Sequence, residues 1–227
     1  MKKMTYLLGL LLIANSIFNA YGVEIEVEKS SMDTDEGVVI GGVRWATRNV
    51  DAPGTFVSSP EETGMFFQWR KMEGRRAPSN QHTDWEIITP SSDRLNYEND
   101  PCPEGWRLPS LMELEMLFNA DNTWVTHNGV NGRLMGTAPN QIFLPAVGFL
   151  DFQGEHWWGD EHGVYMSSIT AMDNDSEPFG VGVARFQQMD APSSSNINDP
   201  ITNIYAMTIF NWYSVRCVAK TSDIDNE

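Results

Sequence analysis

Positive charge is scarce in this chain. Fifteen Lys and Arg stand against thirty-one Asp and Glu in 227 residues, a formal charge of −16. Nucleic-acid binding draws most of its affinity from phosphate neutralisation, so this balance argues against a nucleic-acid partner. It argues equally against a polybasic protein of an anionic membrane surface. Histidine is rare, with four in all, and cysteine rarer, with Cys102 and Cys217 alone. Neither Cys stands in a Cys-x-x-Cys pair or beside a His. Gly-x-Ser-x-Gly, a phosphate-cradling Gly loop and His-Glu-x-x-His are all missing, so the hydrolase templates fail. No catalytic residue, metal or cofactor is expected. Long apolar runs are confined to Tyr6–Phe18, shorter than the ~20 residues of a spanning helix, so no membrane span is expected. What the chain does have is apolar bulk: 41% hydrophobic residues, with eight Trp, eleven Phe and six Tyr. With 20% charged residues this is the balance of a globular domain rather than a disordered chain.

The first 22 residues read as an address. Lys2 and Lys3 precede the apolar run, no charge lies between Met4 and Val23, and Ala20 and Gly22 are small residues at the −3 and −1 positions. A signal peptide over 1–22 is expected, and with it export to the periplasm, cell surface or medium. No Cys lies near the cleavage site, which excludes a lipoprotein anchor. Cleavage removes two Lys and no acid, taking the formal charge from −16 to −18. In an oxidising compartment a Cys102–Cys217 disulfide is the default. The alternative is two thiols, one of them catalytic. The bond would close a loop that the chain-entropy model values at ~4–5 kcal/mol.

Residues 23–37 are acidic and read as a solvated linker, 38–220 as the domain, and 221–227 as a polar tail. Val38-Val39-Ile40 and Val43-Arg44-Trp45-Ala46-Thr47 are β-rich runs split by the turn signal Gly41-Gly42. Met65–Trp69 is a further strand candidate, and Ser59-Pro60-Glu61-Glu62 could start a brief helix. Arg70, Lys71, Arg75 and Arg76 open a long loop and form the one basic spot. They read as a solvated loop balancing local acid, or as an anion contact. Ser110-Leu111-Met112-Glu113 is a capping box, and Leu111, Leu114, Leu117 and Phe118 recur at helical spacing, with an end expected at Asn119 or Asn122. Beyond it, Asn128-Gly129 and Asn131-Gly132 signal turns between short strands. The class expected is α+β: few short helices, several short antiparallel strands and long loops.

Chemistry-bearing types are densest in His156-Trp157-Trp158-Gly159-Asp160-Glu161-His162. The two His are six positions apart, a spacing that fits neither one helix face nor a tight ligand pair, so a metal site is not expected. Two indoles beside carboxylates suit ligand stacking instead, and Trp157, Trp158 and Asp160 are the candidate ligand residues. The plainer alternative is that one or both indoles fill the core. Asp173-Asn174-Asp175-Ser176-Glu177 spaces oxygen ligands as a calcium loop would, but Pro178 stands where an EF-hand needs Gly. A solvated acidic loop is the plainer reading, and calcium binding there stays open.

Five segments carry a family resemblance: Gly42–Val50 (GVRWATRNV), Asp100–Ser110 (DPCPEGWRLPS), Phe143–Gly148 (FLPAVG), Gly163–Ser168 (GVYMSS) and Ser214–Val218 (SVRCV). In this order they resemble the Fibrobacter succinogenes major paralogous domain, over about Val39 to Ala219. The resemblance implies a C-type-lectin-like fold and a secreted or surface protein of a Bacteroidetes-type bacterium, sometimes in an adhesive appendage. It also supports pairing Cys102 with Cys217, which occupy the family's two Cys positions. The Trp106-Arg107-Leu108-Pro109 segment resembles the formylglycine-generating sulfatase modifiers too, enzymes that need a reactive Cys pair near the C-terminal end, where this chain has Cys217 alone. Trp45, Trp106 and the Cys pair read as core and staple, with Arg107 and Arg216 set to pair with acids.

The function expected is therefore a non-enzymatic exported binding or adhesion module with an extracellular glycan or protein ligand. The alternatives are an assembly subunit of a surface appendage and a sulfatase-modifier-like enzyme. The address is checked by intact mass: the exported protein should begin at Val23, and a mass retaining residues 1–22 or carrying a lipid would refute the cleavage assignment.

Overall fold

A computed structural model of the chain describes residues 35–77, 99–171, 180–187 and 202–220. The signal segment 1–22, the acidic segment up to residue 34, the loop 78–98, the calcium candidate Asp173–Glu177 and the tail 221–227 lie outside the described residues. The chain divides into two compact units at Thr34/Asp35, and only the second is described. Asp35 is not a linker residue. Its buried carboxylate accepts hydrogen bonds from the amides of Gly37 and Thr47 and from the Thr47 hydroxyl, all at 2.9 Å, and meets Arg48 at 3.4 Å. The sequence shows one more acid in an acidic run. The structure starts the domain there, three residues before Val38.

Among the described residues there are fifteen strands and one helix. Strands β1 (Val38–Ile40), β2 (Val43–Trp45), β3 (Phe66–Gln68), β4 (Gly74–Arg75) and β5 (Trp106–Arg107) precede helix α1 (Leu111–Phe118). Then come β6 (Asn122–His127), β7 (Val130–Thr137), β8 (Asn140–Pro145), β9 (Phe149–Leu150) and β10 (His156–Trp157). The last are β11 (His162–Ala171), β12 (Gly180–Gln187), β13 (Thr202–Thr208), β14 (Trp212–Tyr213) and β15 (Val218–Ala219). They form four sheets, ordered β1-β2-β15-β5, β10-β9-β14-β3-β4, β11-β12-β13 and β6-β7-β8. All the strand ladders described are antiparallel. The class is mostly antiparallel sheet with one short helix, fewer helices than expected.

Local chemistry explains most elements. Gly41 and Gly42 have φ of +60° and +82°, the left-handed pair that a two-residue β1–β2 turn requires. Asn128 and Gly129 do the same between β6 and β7. Asn131-Gly132, by contrast, makes no turn and lies within β7. A Cβ at Gly132 would fall 2.3 Å from the Leu144 carbonyl oxygen and 2.6 Å from the Phe143 ring. This glycine serves close strand packing rather than a bend. Ser59–Glu62 forms a single turn, closed by the Glu62 amide on the Ser59 carbonyl (3.3 Å), and no helix follows.

Helix α1 carries the expected capping box. The Ser110 hydroxyl accepts from the Glu113 amide (3.2 Å), and the Glu113 carboxylate accepts from the Ser110 amide (2.7 Å). Glu113 also takes both arms of Arg107, at 2.6 and 2.8 Å, which holds its carboxyl below the usual range. Leu114, Leu117 and Phe118 are buried, and Asn119 ends the helix as its C-cap.

The other expected arginine pairs differently. Arg216 is buried without a carboxylate at hydrogen-bond distance. Its guanidinium donates to the Asn49 side chain (2.8 and 3.1 Å) and to the carbonyls of Ala46 (3.2 Å) and Phe143 (3.0 Å). The next residue, Cys217, is joined to Cys102 in the expected disulfide, across 115 positions. Asn49→Ala should cost about 3 kcal/mol, because hydrogen bonds to a buried charge are worth ~1.5–3 kcal/mol and the guanidinium cannot be rehydrated. Replacing both Cys by Ser should cost about 4 kcal/mol. Urea unfolding of the oxidised protein measures both.

Candidate functional site

The densest sequence constellation lies on the β9–β10 hairpin and the turn after it. One carboxylate builds the hairpin loop. The Asp151 carboxylate accepts from the amides of Gln153 and Glu155, both at 2.9 Å, while its carbonyl accepts from the Gly154 amide (2.9 Å). The other carboxylate oxygen accepts from the indole Nε1 of Trp157 (2.8 Å). The Trp157 ring therefore stands in solvent, 46% exposed, yet tethered in one orientation. Phe152, at the loop tip, is 44% exposed.

Trp158 has the opposite role. It is half-buried and packs against the core cluster that contains Phe149, Val164 and Tyr213. Its ring meets Phe149 edge-on at 5.1 Å and lies 4.8 Å from the His162 ring, with the Arg185 guanidinium 5.3 Å over it. Its backbone is left-handed, φ +60°, an outlier for a bulky residue that costs of order 1–3 kcal/mol. The turn is overdetermined. The Trp158 carbonyl accepts from the amides of Glu161 (3.2 Å) and His162 (2.9 Å), and the Asp160 amide donates to the Ala146 carbonyl (2.7 Å). Gly148, φ +64°, runs so close beneath that a Cβ would lie 1.9 Å from the Trp157 carbonyl oxygen.

The three candidate residues are thus divided. Trp157 faces solvent, Trp158 supports the turn, and Asp160 is exposed at a left-handed position, φ +65°. The carboxylate that meets the exposed indole is Asp151, which sequence reasoning missed, as it missed Phe152. The signal was present: Asp151 followed three residues later by Gly154 is a turn signature.

The two His are used separately. The His156 Nε2 bonds the Val147 carbonyl (2.7 Å). Burial foremost, then the Arg185 charge, lowers the His162 pKa from 6.5, with Glu161 opposing. Among the described residues no three His, Cys, Asp or Glu gather as a metal site. Three of the four residues of the basic spot are engaged internally. Arg70 stacks on Trp69 (4.1 Å), Arg75 lies over Trp212 (4.6 Å) and meets Glu73 (3.5 Å), and Arg76 meets Asp51 (2.7 Å). Among the described residues no helix is long and apolar enough to cross a membrane.

No protein-family model, curated protein or solved structure matches the chain.

The division between the indoles is testable by unfolding. Trp157→Ala should change stability by about 0.5 kcal/mol or less. Trp158→Ala should cost about 3 kcal/mol, because it empties a packed site. His162 adds a pH dependence. Its folded pKa lies below the unfolded value, so the unfolded chain binds the proton more readily. Stability from this group is intact above about pH 6.5 and declines as pH falls below it. His162→Gln should remove that component from urea midpoints measured between neutral and acid pH.

Proposed function

We propose that this protein is an exported, non-enzymatic binding or adhesion module of a bacterial envelope, engaging an extracellular glycan or protein ligand through the β9–β10 hairpin. The observation that carries the reading is the Trp157 indole, exposed but tethered through Asp151. An exposed ring already fixed in orientation loses little entropy on binding, which is what a recognition surface requires. Backbone strain at Trp158 supports the same place, since strain persists where the surroundings enforce it and gathers at functional sites.

We further propose membership of the Fibrobacter succinogenes major paralogous domain family, with its C-type-lectin-like fold. Supporting this, the five motif segments meet one another: Ser214–Val218 contacts each of the other four through hydrogen bonds, strand pairing or the disulfide. The disulfide occupies both cysteines, which favours binding over a sulfatase-modifier-like activity that needs reactive thiols. The appendage-subunit reading keeps one observation of its own. Strand β6, six residues long, lies at the edge of its sheet, an edge that a second chain can extend.

A glycan array and an envelope-protein overlay, run with and without calcium, test the proposal. Binding should be present in the exported wild-type protein and lost in Trp157→Ala with near-UV circular dichroism unchanged. Binding indifferent to Trp157 would refute the hairpin as the site. Turnover of a Cys-containing peptide would refute the non-enzymatic reading.

A further inference from the structure

We propose that the partner of the β9–β10 hairpin is a basic protein surface, which lays a Lys or Arg side chain on the face of Trp157. This rests on the binding-module reading above and names the chemistry of its ligand.

The first argument is that three of the six other described indoles carry an Arg on their face. Arg70 stacks on Trp69, Arg75 on Trp212 and Arg185 on Trp158, each guanidinium 4.1–5.3 Å from the ring centroid. Among the described residues no Arg or Lys covers Trp157, the one exposed Trp there. Its electron-rich face is open to a cation from outside.

The second argument is charge. From Phe149 to His162 the chain holds Asp151, Glu155, Asp160 and Glu161 and no Lys or Arg. Glu155, Asp160 and Glu161 are exposed, while the Asp151 carboxylate is committed to the hairpin loop and the indole. Three exposed acids therefore lie in the segment that carries the ring, and the one cation packed on that segment among the described residues, Arg185, lies over Trp158 rather than Trp157. A cation approaching the indole gains from ring and carboxylates together, whereas an anionic glycan or anionic lipid is repelled. The excess of acid over base in the whole chain adds long-range attraction for a basic partner.

The third argument is the pairing of exposed rings. Phe152, in the loop, and Trp157, on β10, are two exposed aromatic side chains of one hairpin. Two aromatic anchors beside exposed acids suit a macromolecular surface.

Calorimetric titration of the exported protein with an Arg- and Lys-rich peptide, and in parallel with a neutral oligosaccharide, decides the question at low and high salt. The expected result is binding of the peptide, weakened about tenfold by Trp157→Ala and several-fold by the Glu155→Gln, Glu161→Gln pair and by salt, with no binding of the sugar. Peptide binding equal in wild type and Trp157→Ala would reduce the effect to diffuse charge and overturn the proposal. Salt-insensitive, Trp157-dependent binding of the oligosaccharide would overturn the cationic partner and leave the hairpin as a binding site. Failure of both probes, together with an array and overlay indifferent to Trp157, would overturn the hairpin site as well.

Discussion

A guanidinium without a carboxylate partner sits at the centre of this domain. Moving a cation out of water costs several kcal/mol unless its donors are satisfied. Arg216 meets that condition only if Ala46, Asn49 and Phe143 all bring oxygens to it. Burial lowers its pKa, and the buried Tyr165 and Asp35 oppose that shift. The requirement reaches further because of where Arg216 stands in the chain. The Ser214 carbonyl accepts from the Met166 amide, Val215 from Val50, and Cys217 from Ala46. Val218 pairs with both Trp45 and Arg107. With the Arg216 bond to Phe143, residues 214–218 thus tie together β2, β5, β8 and β11, and the Cys217 disulfide adds a covalent link to the segment that leads into β5. A one-residue slip of this segment would turn every side chain to the other face and strand the charge among apolar groups.

The same geometry reaches the hairpin through consecutive oxygens of one segment. The Phe143 carbonyl takes Arg216, Pro145 takes the Tyr165 hydroxyl, Ala146 takes the Asp160 amide, and Val147 takes the His156 ring. Gly148 then donates to the His162 carbonyl. This segment has one end on the buried cation and the other under the exposed indole. Its lack of a Cβ at Gly148 allows that approach, which any side chain would block. The Trp157 backbone thus lies against a hydrogen-bonded framework that starts in the core, while its ring is oriented by Asp151 in the hairpin loop.

The sequence made the local elements legible where one residue type has one physical use. Gly41-Gly42 and Asn128-Gly129 are turns, and Ser110 with Glu113 is a helix start, because left-handed backbone and unpaired amides admit few solutions. Asn131-Gly132 misled, since the same glycine also serves where backbone and ring crowd it, and crowding depends on strands ten or more residues away. The partner of Arg216 was illegible for a related reason. An acid was the natural guess, and a long-range match to an amide and two carbonyls has no spacing to read. Within the candidate site the residue types singled out Trp157, Trp158 and Asp160, which the structure divides between solvent and support. Which indole faces water was not readable, because strand alternation is broken there by left-handed residues at 158 and 160.

That break gives the adjacent indoles their different duties. Trp157 is the last residue of β10 and Trp158 opens the left-handed turn after it, so the two side chains leave the backbone in different directions. Trp158 takes the inward place, between the Phe149 and His162 rings, and Arg185 closes over it. The contact is favourable while His162 is neutral, since a second cation beside Arg185 would repel it across the same ring. The support beneath the exposed indole is thus tied to a proton, and the exposed indole itself is tied to Asp151, which carries no part of the core. Protonation of His162 in acid disfavours this support, whereas Arg216 bonds to an amide and two carbonyls, groups that do not titrate near neutrality. The exposed indole and the packed one are thus adjacent in the sequence, yet it is Trp158 that packs with the Phe149 and His162 rings.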